Sequence, residues 1–193
     1  MSLLIRYAEP WIVLPESRYD ISDRKIDKYM DEDFSLYMRV KIFPDRMIPN
    51  EEGFAFARSG KHSGISFVKF IDQNDNEIIT LMFTYWFKDS TFVQITKNLT
   101  REEANEFIEI AVINDDLNKK SFSLYVNGEH IDTKEYYNEK QLYKFGEMGG
   151  GGFYQFGNGN FEVPSIAMYL ECEFDMIFLI KKELSYEAIV GLS

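Results

Sequence analysis

Apolar and polar residues alternate at a period of two along most of the chain, and this pattern restricts the fold more than any motif within it. Over residues 35–43, Leu36, Met38, Val40 and Ile42 share one side, while Ser35, Tyr37, Arg39 and Lys41 share the other. Over residues 79–87, Ile79, Leu81, Phe83, Tyr85 and Phe87 oppose Thr80, Met82, Thr84 and Trp86. Successive side chains of an extended chain point to opposite sides, so each run predicts a half-buried strand. Shorter runs of the same kind predict strands over residues 54–58, 65–71, 91–96, 107–113, 121–126, 129–133, 166–171 and 173–180.

Turn chemistry separates these runs. Asn127-Gly128 is the pair preferred in a type I′ hairpin, where both central residues need positive φ, and the Asx-rich stretch 72–77 divides two apolar runs. Helical signals are confined to two short places. Thr100 and Glu103 have capping-box spacing, and Ser185 with acidic Glu187 suits the start of a terminal turn. Parallel strands need crossovers, usually helical, so the prediction is an all-β, antiparallel two-sheet β-sandwich.

The 193 residues, 45% of them hydrophobic and 16% aromatic, suffice for one core, and no Pro/Ser-rich or Gly/Ser-rich linker divides them. A single domain over 1–193 is expected, with residues 1–30 as a peripheral segment contributing one edge strand. Cys172 is the only cysteine, so no intrachain disulfide forms and packing alone must hold the fold; on the apolar face beside Phe174 and Met176 it reads as a small buried hydrophobe. A formal charge of −11, with Lys and Arg scattered singly, excludes nucleic acid and anionic membrane surfaces as partners. No apolar run reaches the roughly 20 residues that span a bilayer, which argues against membrane insertion, and the first residues lack the pattern of a signal peptide.

Three segments, in order, carry a family resemblance. Residues 107–113 (Phe-Ile-Glu-Ile-Ala-Val-Ile) precede a polar loop and then Leu124-Tyr125-Val126-Asn127-Gly128. Phe156-Gly157-Asn158-Gly159 reads as a glycine-bearing turn, and residues 174–189 follow with the apolar run Met176-Ile177-Phe178-Leu179-Ile180 before Leu184-Ser185 and Glu187. Together they resemble the laminin G-like domains of the concanavalin A-like lectin and glucanase superfamily. The resemblance implies a concanavalin A-like jelly roll and a non-catalytic carbohydrate-binding, lectin-like module. Such modules are accessory domains of larger polysaccharide-processing or glycosyl-transferring proteins, so a glycan or a neighbouring domain of the same protein is the expected partner.

Sugar rings present apolar C–H faces and hydroxyl edges, so aromatic residues on polar faces are the candidates for binding them. Tyr37 beside Arg39, Trp86, Tyr125, and Tyr169 with Glu171 form the candidate ligand-binding set, expected to line one concave sheet. The glycine-rich stretch 147–155 is a candidate binding rim. Asp72, Asn74 and Asn76 offer hard oxygen ligands for Ca²⁺, with Asp115 and Asp116 as a second cluster, but neither completes an EF-hand. Two other readings compete. One is a protein-interaction or structural domain without sugar binding; the other is a laminarinase-like glycosidase using Glu171 and Glu173, whose order with Asp175 departs from the glycosidase pattern. His62 and His130 have no partner at zinc-ligand spacing.

Overall fold

The structure is a computed structural model. It describes residues 33–58, 63–137, 170–180 and 183–191, together with two short strands, Leu3–Ile5 and Tyr154–Phe156, as backbone. The strands are β1 (Leu3–Ile5), β2 (Phe34–Ile42), β3 (Glu52–Arg58), β4 (Ser63–Ile71), β5 (Glu77–Trp86), β6 (Phe92–Leu99), β7 (Ile108–Asp115), β8 (Ser121–Val126), β9 (Glu129–Glu135), β10 (Tyr154–Phe156) and β11 (Cys172–Ile180). Two short helices, α1 (Arg101–Asn105) and α2 (Tyr186–Val190), and a 3₁₀ turn at Pro44–Arg46 complete the described elements.

All the described pairings are antiparallel, in a six-stranded sheet ordered β1-β11-β2-β7-β8-β9 and a five-stranded sheet ordered β10-β3-β4-β5-β6. The all-β sandwich expected from the alternation is what the chain forms. The expected strand over 166–171 differs: Leu170 and Glu171 are not in a strand, and the rest of that stretch lies outside the described residues, as do residues 11–29 of the peripheral segment.

Alternation builds the core directly. Leu36, Met38, Val40 and Ile42 from β2, Ile108, Ile110 and Val112 from β7, and Phe122, Leu124 and Val126 from β8 are all buried in one cluster with Ile65, Phe67, Ile79, Leu81, Phe83 and Tyr85 of the facing sheet. Phe122 is the hub at one end. Its ring lies 4.9 Å from Tyr85, 5.1 Å from Tyr136, 5.3 Å from Phe83, 6.1 Å from Phe34 and 6.3 Å from Phe87. Offset and tilted ring pairs of this kind contribute about 0.5–1.5 kcal/mol each beyond the area they bury. Cys172 sits in the same core, where burial pushes its thiol pKa up and keeps it an unreactive hydrophobe.

Local signals fix the connections. Asn127 (φ 49°) and Gly128 (φ 83°) turn β8 into β9. Thr100 and Glu103 close a reciprocal capping box on α1, with Thr100 N–H donating to Glu103 Oε2 at 2.8 Å and Glu103 N–H to Thr100 Oγ1 at 3.1 Å. Strand β9, an edge of its sheet, carries Glu129, Asp132, Lys134 and Glu135, charges that discourage another chain from pairing there. At the rim, Lys97 of β6 reaches Glu129 of β9 at 2.9 Å and Glu103 of α1 at 3.2 Å, tying the two sheets together. Burial works against the Lys97 ammonium, but these two hydrogen bonds outweigh it and raise its pKa.

Candidate functional site

The sandwich separates the candidate residues onto opposite sides, so the single concave sheet expected of them is not formed. Tyr37, Arg39 and Tyr125 face outward from the six-stranded sheet, whereas Trp86 faces outward from the five-stranded one. Tyr169 and the glycine-rich rim lie outside the described residues, except for the backbone of β10.

The outer face of the six-stranded sheet is closed by the chain's own C-terminal segment. Tyr37, 2% exposed, joins Ala111, Ile113 and the fully buried Ile189 of α2 in a second apolar cluster, with Tyr125, Met176, Phe178, Leu184 and Tyr186 packed around it. The Tyr37 ring stacks on Phe178 at 5.1 Å and the Tyr125 ring on Tyr186 at 4.7 Å. Ser35 Oγ accepts Leu184 N–H at 2.9 Å, and Ser185 caps α2 by accepting Ala188 N–H at 3.2 Å. Tyr37 and Tyr125 are therefore covered by packing, and β2 is buried on both faces along most of its length instead of half-buried as its alternation suggested. Alternation reports which residues share a face; it does not report what lies on that face.

Arg39 is engaged as well. It is ion-paired with Asp175, lies 4.0 Å from Glu109 and stands over the Phe107 ring at 5.0 Å. Asp175 reaches it because a bulge between Phe174 and Met176 places an extra residue on that edge. Glu171, 8% exposed, is ion-paired with Arg46, whose guanidinium also stands over Phe43 at 5.2 Å. Two of the three carboxylates in the segment 171–175 are thus each held by an arginine. A retaining or inverting glycosidase instead needs a facing pair with one acid kept protonated, an arrangement these partners oppose.

The calcium candidates bond one another. Asp72 Oδ1 accepts the backbone N–H of Asn74 at 2.7 Å and of Asn76 at 2.9 Å, and Oδ2 accepts the Asn76 side-chain amide at 3.0 Å. The side-chain bond from Asn76, followed by the two backbone bonds, holds the Asp72 carboxyl below its ordinary pKa. The carboxylate is spent on shaping an Asx turn in which Asp75 takes φ 61°. Among the described residues no group of three or more His, Cys, Asp or Glu is placed to hold a metal ion. Asp115 and Asp116 instead bond Asn118 N–H, Lys120 and the Tyr136 hydroxyl. The His130 ring lies tilted against Tyr125 at 5.0 Å and meets Thr133 Oγ1 at 2.9 Å, while His62 lies outside the described residues.

Trp86, half-buried, remains as the candidate that lies beside an exposed ring. Register pairs it directly with Phe92 across the β5–β6 hairpin; their rings are 4.8 Å apart and Phe92 is 52% exposed. Beside them Gln94 Nε2 donates to Thr84 Oγ1 at 3.1 Å, and one step further along the ladder Thr96 is exposed opposite Met82. Trp86 N–H donates to Ser63 Oγ at 2.9 Å and Asp89 pins the turn by accepting from Thr91, so the aromatic pair stands on a fixed hairpin. Phe92 and Gln94 escaped the sequence reading. Their signal was the hairpin itself: Trp86 and Phe92 flank the same turn, so antiparallel pairing must set them side by side.

The fold and the open face together define an antiparallel β-sandwich bearing surface aromatics and no assembled catalytic group among the described residues. Its architecture is shared with binding domains of botulinum neurotoxins. The chain is similar to the serotype D binding domain, with a TM-score of 0.57 and 13% identity over 84% of this chain and 36% of that one. It is also similar to a type C neurotoxin structure concerned with interaction with two ganglioside molecules, with a TM-score of 0.59 and 18% identity over 88% and 37%. The binding domain of neurotoxin DC in complex with rat synaptotagmin II gives a TM-score of 0.57 and 17% identity over 85% and 36%. The chain thus spans little more than a third of these relatives, and the likeness is one of fold. No protein-family model matches the sequence, and no curated protein matches it significantly. Among the described residues no helix is long and apolar enough to cross a membrane.

Proposed function

We propose that this chain is a non-catalytic carbohydrate-binding module of the laminin G-like, concanavalin A-like kind, acting as an accessory domain of a larger polysaccharide-processing or glycosyl-transferring protein. The observation that carries the reading is the Trp86–Phe92 pair, two large rings side by side and partly exposed, with the exposed Gln94 alongside. Aromatic surface receives the C–H face of a pyranose while amides and hydroxyls meet its edge, and neither demands charge, which suits a chain of formal charge −11. The fold likeness to neurotoxin binding domains, one of them studied with gangliosides, supports a binding role over a catalytic one.

The test is a glycan array followed by calorimetric titration of the full chain. Millimolar or tighter binding that Trp86→Ala and Phe92→Ala each reduce at least about tenfold is the expected result; absence of any bound glycan removes the reading. A second reading, a protein-interaction domain, is favoured by Phe70, Ile71 and Ile78, which are 43%, 46% and 36% exposed at the β4–β5 hairpin, and by the synaptotagmin complex of one structural relative. Glycan binding lost through Trp86 but kept on changing Phe70→Ser separates the two.

A further inference from the structure

A concave feature lies at the end of β5 away from Trp86. It is a cleft of about 480 Å³ lined by Pro44, Asp75, Asn76, Glu77, Ile79, Leu99 and Arg101, within the roughly 300–1,000 Å³ typical of small-molecule sites. Its walls come from three separate places in the chain, and each is fixed by its own local device. The Asp72 hydrogen bonds hold the 74–76 turn. The capping box fixes Arg101 as the first residue of α1. Lys69, 6% exposed, donates from Nζ to Pro44 O at 2.8 Å and lies 3.8 Å from Glu77 Oε1, so one buried cation clamps two opposite walls. The cleft therefore exists before any ligand arrives, and binding there carries little ordering penalty.

Its chemistry is specific. Pro44, Ile79 and Leu99, all buried, supply a small apolar floor, and the exposed Asp75, Asn76, Glu77 and Arg101 supply donors and acceptors at the rim. The carboxylates of Asp75 and Glu77 are balanced by the cations of Lys69 and Arg101, so the site presents no net charge. Glu77 is occupied by Lys69, whereas among the described residues the Asp75 carboxylate and the Arg101 guanidinium have no side-chain partner. A ligand carrying a single sign of charge would leave one of them opposed; a polyhydroxylated neutral ring meets both, as acceptor and donor face vicinal hydroxyls.

We propose that this cleft is a binding site for a neutral pyranose, its C–H face on Pro44, Ile79 and Leu99 and its hydroxyls between Asp75 and Arg101. The site stands apart from the Trp86 platform and does not depend on it. The experiment is a titration of the ¹⁵N-labelled full chain with methyl β-glucoside, methyl β-galactoside and N-acetylglucosamine, with sodium acetate as the singly charged control and glycine as the zwitterionic one. The expected result is saturable millimolar shifts at the amides of Asp75, Asn76, Glu77, Leu99 and Arg101 with at least one sugar, unchanged by Trp86→Ala. Arg101→Gln and Asp75→Asn, at exposed positions and checked for unchanged thermal unfolding, should each weaken that binding about tenfold. Shifts at these amides with acetate or glycine alone, no saturable shift with any of the sugars, or equal affinity in both variants would each overturn the proposal. Loss of glycan-array binding in Trp86→Ala with these shifts intact would leave it standing.

Discussion

The two outer faces of the sandwich began with similar material and ended with different uses. Tyr37, Tyr125 and Phe178 on the six-stranded sheet, and Trp86 and Phe92 on the five-stranded sheet, are all aromatics alternating with core residues. On the first face, the segment 183–191 lies down across the strands and inserts Ile189 between Tyr37 and its neighbours. On the second, the Trp86–Phe92 end of the hairpin keeps its rings partly exposed. The same residue type is thus structural where the chain returns to cover it and available to a ligand where it does not. Exposure, rather than aromatic content, separates the two roles.

This contrast predicts an order of effects. Tyr37→Ala removes a buried ring stacked on Phe178 and should destabilise the protein by about 3–5 kcal/mol, measured by urea unfolding. Ile189→Ala leaves a hole under α2 and should cost about 2–4 kcal/mol, lowering the unfolding midpoint without abolishing glycan binding. Trp86→Ala should cost no more than about 1 kcal/mol in the same assay while weakening glycan binding at that face at least about tenfold; a stability loss as large as that of Tyr37→Ala would show that both faces are structural and break the comparison.

The smallest effect concerns the start of the covering segment. Burial, and then repulsion from Asp115 and Asp33, raise the pKa of Glu183, with Lys119 partly opposing. A carboxyl with a raised folded pKa favours the folded state most below its unfolded value, near the ordinary 4.5, and loses that contribution as pH rises through the folded pKa. Glu183→Gln should therefore raise the melting temperature at pH 7 by on the order of 1 °C and make no difference below about pH 4. Equal melting curves at both pH values would show that this carboxyl feels no neighbours.

Much of the fold was legible because it rests on local rules. The Asn127-Gly128 turn, the Thr100–Glu103 capping box and the Ser185 cap each depend on neighbours within a few residues, and each forms as its residues require. The bulge at Phe174/Met176 was not legible; it moves Met176 and Phe178 to the outer face and delivers Asp175 to Arg39. Nor was the partner of Glu171, since Arg46 is distant in sequence, whereas the Asx turn at Asp72 is local and was legible as turn chemistry. Of the candidate site, the sequence exposed Trp86 but not Phe92 beside it, and nothing in it linked Pro44 to Arg101 across a shared cleft.

The sequence alone determined that the chain makes antiparallel strands with one apolar side each, because side-chain direction in an extended backbone follows position parity and needs no distant partner. That the outer side of the six-stranded sheet would be covered was decided only when the tertiary structure laid the C-terminal segment over it. That choice depends on contacts between residues roughly 60 to 150 positions apart in the chain, such as Tyr125 with Tyr186 and Ser35 with Leu184, and such contacts leave no trace in local periodicity.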